Sequence, residues 1–248
     1  MIADCKVFVI NLDRSKKRLL NISSQLEKLG IPFERFPAVD GNGIINQELY
    51  FNKKRFKLEC LHDVVPGEVG CSLSHIKIWR RIVDSKIPFA LVLEDDVDLD
   101  KELPCFLSSQ EFKKADFLKL DFDPDKYTGS QPKTIQAIGK EVIECDLAPY
   151  SAAGYIISKK AASIFLSSTK NMYYPIDLLP WYTSRFCIQA YTRTCYVRHP
   201  HEESEIGQRN FSTRKVILDL NYFRHKIFRR IYIRKLLAFF RSMVTSSK

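Results

Sequence analysis

The chain has 248 residues, with 39 Lys and Arg against 29 Asp and Glu for a formal charge of +10, and is 45% hydrophobic and 27% charged. These values fit one large folded domain, alone or with a small annex, and exclude a disordered chain; nine Gly and eleven Pro exclude collagen-like and Gly-rich low-complexity sequence. No apolar run reaches the ~18 residues of a spanning helix and MIADCKVFVINLD has no small-residue cleavage site, so a cytoplasmic protein, soluble or peripheral, is expected.

Lys6 to Leu12 is a short β-branched run and reads as a buried strand. Leu19, Ile22, Leu26 and Leu29 then share one helix face, and Gly30 stops that helix. Phe33 to Val39 reads as a second strand, so the chain opens strand–helix–strand, the signature of a parallel α/β sheet. Residues 41–65 are polar and basic and read as loop with one helical turn at most. Gly67 to Gly70 read as a turn, with Ser72 able to cap a helix that buries Leu73, Ile76, Trp79 and Val83. Ile87 to Leu93 is the most strand-like segment and runs into Glu94-Asp95-Asp96. Asp116 to Leu120 reads as strand, 121–134 as loop, Gly154 to Ser158 as strand, and Lys159 to Ser168 as helix. The tail from Thr213 carries ten basic residues against Asp219 alone, a charge of +9, which leaves +1 for residues 1–212. The expected organisation is therefore one α/β domain over 1–212 and a helical basic annex over 213–248. Seven cysteines at scattered spacing, without a C-x-x-C, read as reduced and mostly buried.

The acidic turn is the first chemical signal. Carboxylates at the C-terminal end of a buried strand sit where open α/β sheets bind ligands. In extended geometry Glu94 and Asp96 point to one side and Asp95 to the other. Their mutual repulsion is relieved by a hard divalent ion such as Mg²⁺ or Mn²⁺, which favours one or two carboxylates plus phosphate oxygens; a solvated acidic turn is the alternative. An EF-hand fails, because Lys101 stands at its glycine position and Leu107 at its glutamate position. Dinucleotide-binding, P-loop and nucleophile-elbow sequences are absent.

Four blocks in order carry a resemblance: Val9 to Asp13 with Arg18, Phe36 to Gly41, Gly67 to His75, and Leu91 to Val97. Together they resemble glycosyltransferase family 25, the bacterial lipooligosaccharide galactosyltransferases, over residues 6–210. The segments Ala153 to Ser158 and Pro175 to Asp177 look like later blocks of that family. The resemblance implies a GT-A-like, Rossmann-type nucleotide-sugar-binding domain, a donor such as UDP-galactose, a divalent metal, and an acceptor sugar on a lipid-linked core oligosaccharide. It also implies inversion at the anomeric carbon.

On this reading Glu94 and Asp96 hold the metal, with His199 or His201 as a further contact, and Asp95 reaches the ribose or the metal from the other side. Asn11, Leu12, Arg14 and Arg18 meet the nucleotide at the end of the first strand, Arg14 and Arg18 lying a helical turn apart. Asp40 and Gly41 reach the ribose hydroxyls, and Ser72 and His75 face the pocket. The base that takes the acceptor hydroxyl proton is expected to be Asp177, framed by Pro175 and Pro180 among Tyr173, Tyr174, Trp181 and Tyr182, whose rings suit sugar stacking. Asp121 and Asp123 stay open as the base, and a helix cap is the plain alternative for Asp177. In the tail, Lys226, Arg230, Arg234 and Arg241 fall on one arc opposite Ile227, Ile231 and Phe239. Such a basic amphipathic helix suits an anionic membrane surface at the cytoplasmic face of the inner membrane. The competing class is a non-catalytic membrane-binding protein that uses this tail. The near-neutral body offers no nucleic-acid-binding face.

Overall fold

A computed structural model describes residues 4–60, 62–124, 132–170 and 172–199. The predicted tail helix, His201 and the side chain of Trp181 lie outside the described residues. Strand β1 (Cys5–Asn11) leads to helix α1 (Lys16–Lys28) and strand β2 (Glu34–Pro37), as the opening pattern predicts. Residues 41–65 hold more structure than expected: two 3-10 turns (Gly41–Gly43 and Gln47–Leu49) and helix α2 (Lys53–Cys60). Helix α3 (Pro66–Asp84) precedes β3 (Phe89–Glu94) and the short β4 (Asp98–Leu99). Then follow α4 (Leu103–Ser109), β5 (Phe117–Lys119), β6 (Thr134–Ala137), β7 (Val142–Cys145), β8 (Gly154–Ser158), α5 (Lys159–Ser167), α6 (Leu179–Thr183), β9 (Gln189–Thr192) and β10 (Val197–Arg198).

The main sheet runs β2-β1-β3-β8-β5-β9-β7-β6, and β4 pairs with β10 beside it. The parallel expectation holds for β2-β1-β3 and for the β5–β9 pair. It fails elsewhere: β8 lies antiparallel between β3 and β5, and β7 antiparallel to β6 and β9. The sheet is mixed because the second half of the chain lacks the long helical crossovers that parallel neighbours require. Alternation along the strands divides the core. Val7, Val9, Leu91 and Leu93 bury against Ile22 and Leu26 of α1, whereas Phe8, Ile10, Ala90 and Val92 face Ile78, Trp79 and Phe165 on α3 and α5. Helices therefore cover both faces, and β1 lies between its sequence neighbours β2 and β3. The chain leaves β1 toward one side and returns on the other, which opens a crevice at the C-terminal ends of β1 and β3.

Helix α3 corrects the predicted turn. It starts at Pro66, a favoured first-turn position, and buried Glu68 accepts the Val65 N–H at 3.1 Å. Gly70 sits inside the helix because the loop after β2 crosses it closely. A Cβ on Gly70 would lie 2.5 Å from the Val39 carbonyl oxygen, and one on Gly41 would lie 1.7 Å from that of Pro66. Ser72 consequently is no helix cap but a buried second-turn residue. All seven cysteines are free thiols, of which Cys5, Cys145 and Cys187 are buried and Cys105 is exposed.

Candidate functional site

The crevice at β1 and β3 is an open cleft into which most of the predicted residues project. Leu12, Arg14 and Arg18 line it from the end of β1 and the start of α1. Asp40 and Gly41 line it from the loop after β2, Cys71, Ser74 and His75 from α3, and Glu94, Asp95 and Asp96 from the end of β3. His199, just past β10, closes one side.

The three acidic residues differ in their partners. Glu94 Oε1 faces His75 Nε2 at 3.4 Å and accepts the Cys71 thiol at 3.6 Å. Asp95 turns inward and accepts from Asn11 Nδ2 at 2.6 Å, and Arg18 stands 3.5 Å away. Asp96 takes Arg18 at 3.0 Å on one oxygen, and His199 Nε2 stands 3.6 Å from the other. Burial raises the pKa of Glu94, but the hydrogen bond from His75, together with His199 and the Cys71 thiol, outweighs it and holds the group below its ordinary value. Asp96 goes the other way: burial first, and the Glu94 charge second, push it up despite His199 and Arg18. Burial and the charges of Glu94 and Asp177 hold the Cys71 thiol well above its usual range, which keeps it protonated.

Two groups of side chains can take a cation. Glu94, Asp96 and His199 bring one ligand atom each within 4.8 Å of one another, as do Cys71, His75 and Glu94. The first set has two carboxylates and an imidazole, a donor set suited to Mn²⁺ or a similar ion. Among the described residues Asp96 Oδ1 in that set is buried and receives no hydrogen bond, so the set fits a cation. Sequence spacing expects Glu94 and Asp96 on one side of the strand end, and both reach this set. It named His199 beside His201, and of these His199 reaches the set while His201 lies outside the described residues.

Other expectations change. Asn11 is buried under the cleft, holding Asp95 and the Ser15 carbonyl through Nδ2 while Arg35 donates to its Oδ1 at 2.9 Å. It shapes the site from beneath. Ser72 is buried and does not line the cleft; Ser74, two residues on, lines it and accepts the Val39 N–H at 2.8 Å. Arg14 lines the cleft while ion-paired with Asp40, whose pKa is lowered by the Asn42 N–H and by Arg14. Gly41 serves the close crossing over α3.

Asp121 and Asp177 belong to a second polar cluster, two strands away along the same sheet edge. Fully buried Lys119 ion-pairs with Asp121 at 2.9 Å and also donates to the Ser151 carbonyl. Ser151, at φ +96°, donates its hydroxyl to Asp121 at 2.7 Å and its backbone N–H to Asp177 at 3.4 Å. Asp121 is thus committed to internal partners and buried, which places it out of reach of a substrate hydroxyl. Asp177 is half-buried in a 3-10 turn before α6; Leu178, not Asp177, precedes that helix, so the capping alternative falls. The neighbouring tyrosines spend their faces on each other: Tyr174 stacks on Tyr182 at 4.2 Å, and Arg55 covers Tyr173 at 3.4 Å. Residues that sequence reasoning missed are Tyr155 and Trp79, which hydrogen-bond behind His75, and Cys71. The i, i+4 spacing of Cys71 and His75 on one helix was the available signal.

The sequence model described as Glycosyltransferase family 25 (LPS biosynthesis protein) matches residues 4–180. The lipooligosaccharide biosynthesis protein lic2B of Haemophilus influenzae is 29% identical over 184 residues, 69% of this chain and 68% of that protein. The lacto-N-neotetraose biosynthesis glycosyltransferase LgtE of Neisseria meningitidis serogroup B is 26% identical over 182 residues, 64% of this chain and 58% of that protein. Procollagen galactosyltransferase 2 of Homo sapiens is 26% identical over 170 residues, 63% of this chain and 26% of that protein. The chain thus spans between about a quarter and two thirds of the length of these relatives.

Proposed function

From the premise that the chain belongs to glycosyltransferase family 25, we propose that it transfers galactose from UDP-galactose, with inversion and with a divalent cation, to a sugar of a lipid-linked lipooligosaccharide core. The observation that carries the reading is the convergence of Glu94, Asp96 and His199 beside Arg14 at the crevice between β1 and β3. The names of lic2B and LgtE support the oligosaccharide acceptor, and that of the procollagen enzyme supports galactose as the donor sugar.

Glu94, Asp96 and His199 would hold the cation, which when bound neutralises the donor diphosphate and stabilises the departing UDP. Arg14 meets the diphosphate from the start of α1, and its partner Asp40 stands where a ribose hydroxyl can donate to it. Arg18 holds Asp95 and Asp96 in place rather than meeting phosphate itself. Asp177 takes the proton from the acceptor hydroxyl as that oxygen attacks the anomeric carbon, since Asp121 is neutralised by Lys119. Hydrolysis of UDP-galactose in the absence of acceptor tests the reading: it should appear with Mn²⁺, stop with EDTA and return on adding metal. Hydrolysis that ignores EDTA refutes the cation, and no hydrolysis or transfer of any UDP-hexose refutes the donor.

Among the described residues no helix is long and apolar enough to cross a membrane. The +9 tail supports attachment to anionic lipid at the cytoplasmic face of the inner membrane. Deleting residues 224–248 should leave donor hydrolysis intact and abolish sedimentation with anionic vesicles; unchanged sedimentation removes the tail as the anchor.

A further inference from the structure

Behind the cleft runs a buried polar chain of Trp79, Tyr155, His75 and Glu94. Trp79 Nε1 lies 3.0 Å from the Tyr155 hydroxyl oxygen, which lies 2.7 Å from His75 Nδ1, and His75 Nε2 lies 3.4 Å from Glu94 Oε1. Trp79, Tyr155 and His75 are all buried, so each donor and acceptor must be met within the protein. That requirement fixes the direction of every bond. An indole N–H can only donate, so the Tyr155 oxygen accepts it. The Tyr155 O–H must then donate, and its acceptor in reach is His75 Nδ1. A neutral imidazole with Nδ1 accepting carries its proton on Nε2, and this N–H points at Glu94 Oε1. The Cys71 thiol donates to the same oxygen at 3.6 Å. Reversing the chain would give the Tyr155 oxygen two incoming N–H groups and leave its own proton buried without an acceptor.

We infer that Trp79, Tyr155 and His75 form a positioning chain that orients the Glu94 carboxylate toward Asp96 and His199 and bars a cation from the adjoining Cys71–His75–Glu94 cluster. The inference rests on the cation reading above. Two candidate sets share Glu94, and in each the ligand atoms lie within 4.8 Å of one another. The chain chooses between them, because a protonated Nε2 offers no lone pair to a metal and occupies the Glu94 oxygen that faces Cys71. Tyr155 also packs against Phe117 with ring centres 5.1 Å apart, so its hydroxyl is held by the core on which the site is built. Partners of this kind behind a ligand commonly control metal affinity by 10- to 100-fold.

The test uses the full-length protein, with Mn²⁺ binding followed from the free-ion resonance signal and Cd²⁺ binding from the thiolate-to-metal absorption band. Tyr155→Phe keeps the ring and deletes the hydroxyl, freeing His75 to move its proton to Nδ1. Mn²⁺ should then bind about 10-fold more weakly, and a Cd²⁺–thiolate band absent from the wild type should appear and vanish again when Cys71→Ser is added. Because Tyr155→Phe strands the Trp79 N–H, the double variant Trp79→Phe/Tyr155→Phe, which leaves no orphaned donor, should behave the same way. Trp79→Phe alone keeps the Tyr155–His75–Glu94 part and should change Mn²⁺ affinity by no more than about 3-fold, a small fraction of the loss expected of a direct partner. Equal Mn²⁺ affinity in the double variant and the wild type overturns the positioning role. A Cys71-dependent Cd²⁺ band in the wild type overturns the proton assignment. A wild type that binds no Mn²⁺ even with UDP present refutes the cation reading itself, and this inference with it.

Discussion

Two acidic clusters share one edge of the sheet, and they settle their charge in opposite ways. At the end of β5, Asp121 is buried against Lys119, and Ser151 bridges it to Asp177. Within it Asp121 is neutralised by Lys119 and closed to solvent, while Asp177 stays half exposed. At the end of β3, Glu94, Asp95 and Asp96 face Arg18, His75 and His199, and Asp96 still titrates above its ordinary range because burial and Glu94 oppose its charge. A buried carboxylate with a built-in lysine completes the fold, whereas carboxylates that the fold leaves under-neutralised beside an open cleft mark a candidate functional site.

The largest effect expected at the cleft is that of Asp96→Ala. It removes a ligand but also a repulsion, so transfer and Mn²⁺-dependent UDP binding should be lost while the melting temperature holds. Full activity at saturating Mn²⁺ would erase the distinction between the clusters. The reverse pattern is expected at β5: Lys119→Met strands the Asp121 charge in the core and should cost about 3–5 kcal/mol of stability, read by urea denaturation. A loss below about 1 kcal/mol would mean that Asp121 is not held as an ion.

Asp177 lies at the boundary, held by Ser151 yet half exposed. Asp177→Asn should lower kcat by about 100-fold or more, the contribution of a general base, with little change in donor affinity. Weakened UDP-sugar binding at unchanged kcat would make Asp177 a binding residue instead. The smallest effect concerns pH. The folded protein keeps a proton on Asp96 to higher pH than the unfolded chain does, so ionising Asp96 lowers the stability of the cation-free protein as pH rises from the unfolded pKa through the raised folded value. Asp96→Asn should therefore melt about 2 °C higher than the wild type at neutral pH without metal. Mn²⁺ affinity of the wild type should fall as pH drops through the same window. An Asp96→Asn protein that melts lower than the wild type would contradict the direction of the shift.

Much of the cleft was legible because its residues follow strand ends. The run Ala90 to Leu93 is too apolar to be anything but buried, and Glu94 and Asp96 fall on one side of it by the two-residue period of a strand. The strand–helix–strand opening placed Leu12, Arg14 and Arg18 on the same edge. Ser72 was misplaced for a local reason, since Gly67 and Gly70 look like a turn to any sequence rule. Both lie in α3, and Gly70 is needed there because Val39 and Gly41 cross the helix where a Cβ would collide, a contact that joins residues some thirty positions apart.

The sequence by itself determined the family, the first three strands and the acidic turn, because local periodicity and residue order carry them. Only the tertiary structure decided which carboxylates are charged and free to act. Asp121 and Asp96 both follow buried strands and cannot be told apart in one dimension. Lys119 neutralises the first from inside the core, while His199, a hundred residues away in sequence, meets the second across an open cleft. The direction of the Trp79–Tyr155–His75 bonds was equally hidden, because a proton's place is set by every donor and acceptor around it, and those come together only on folding.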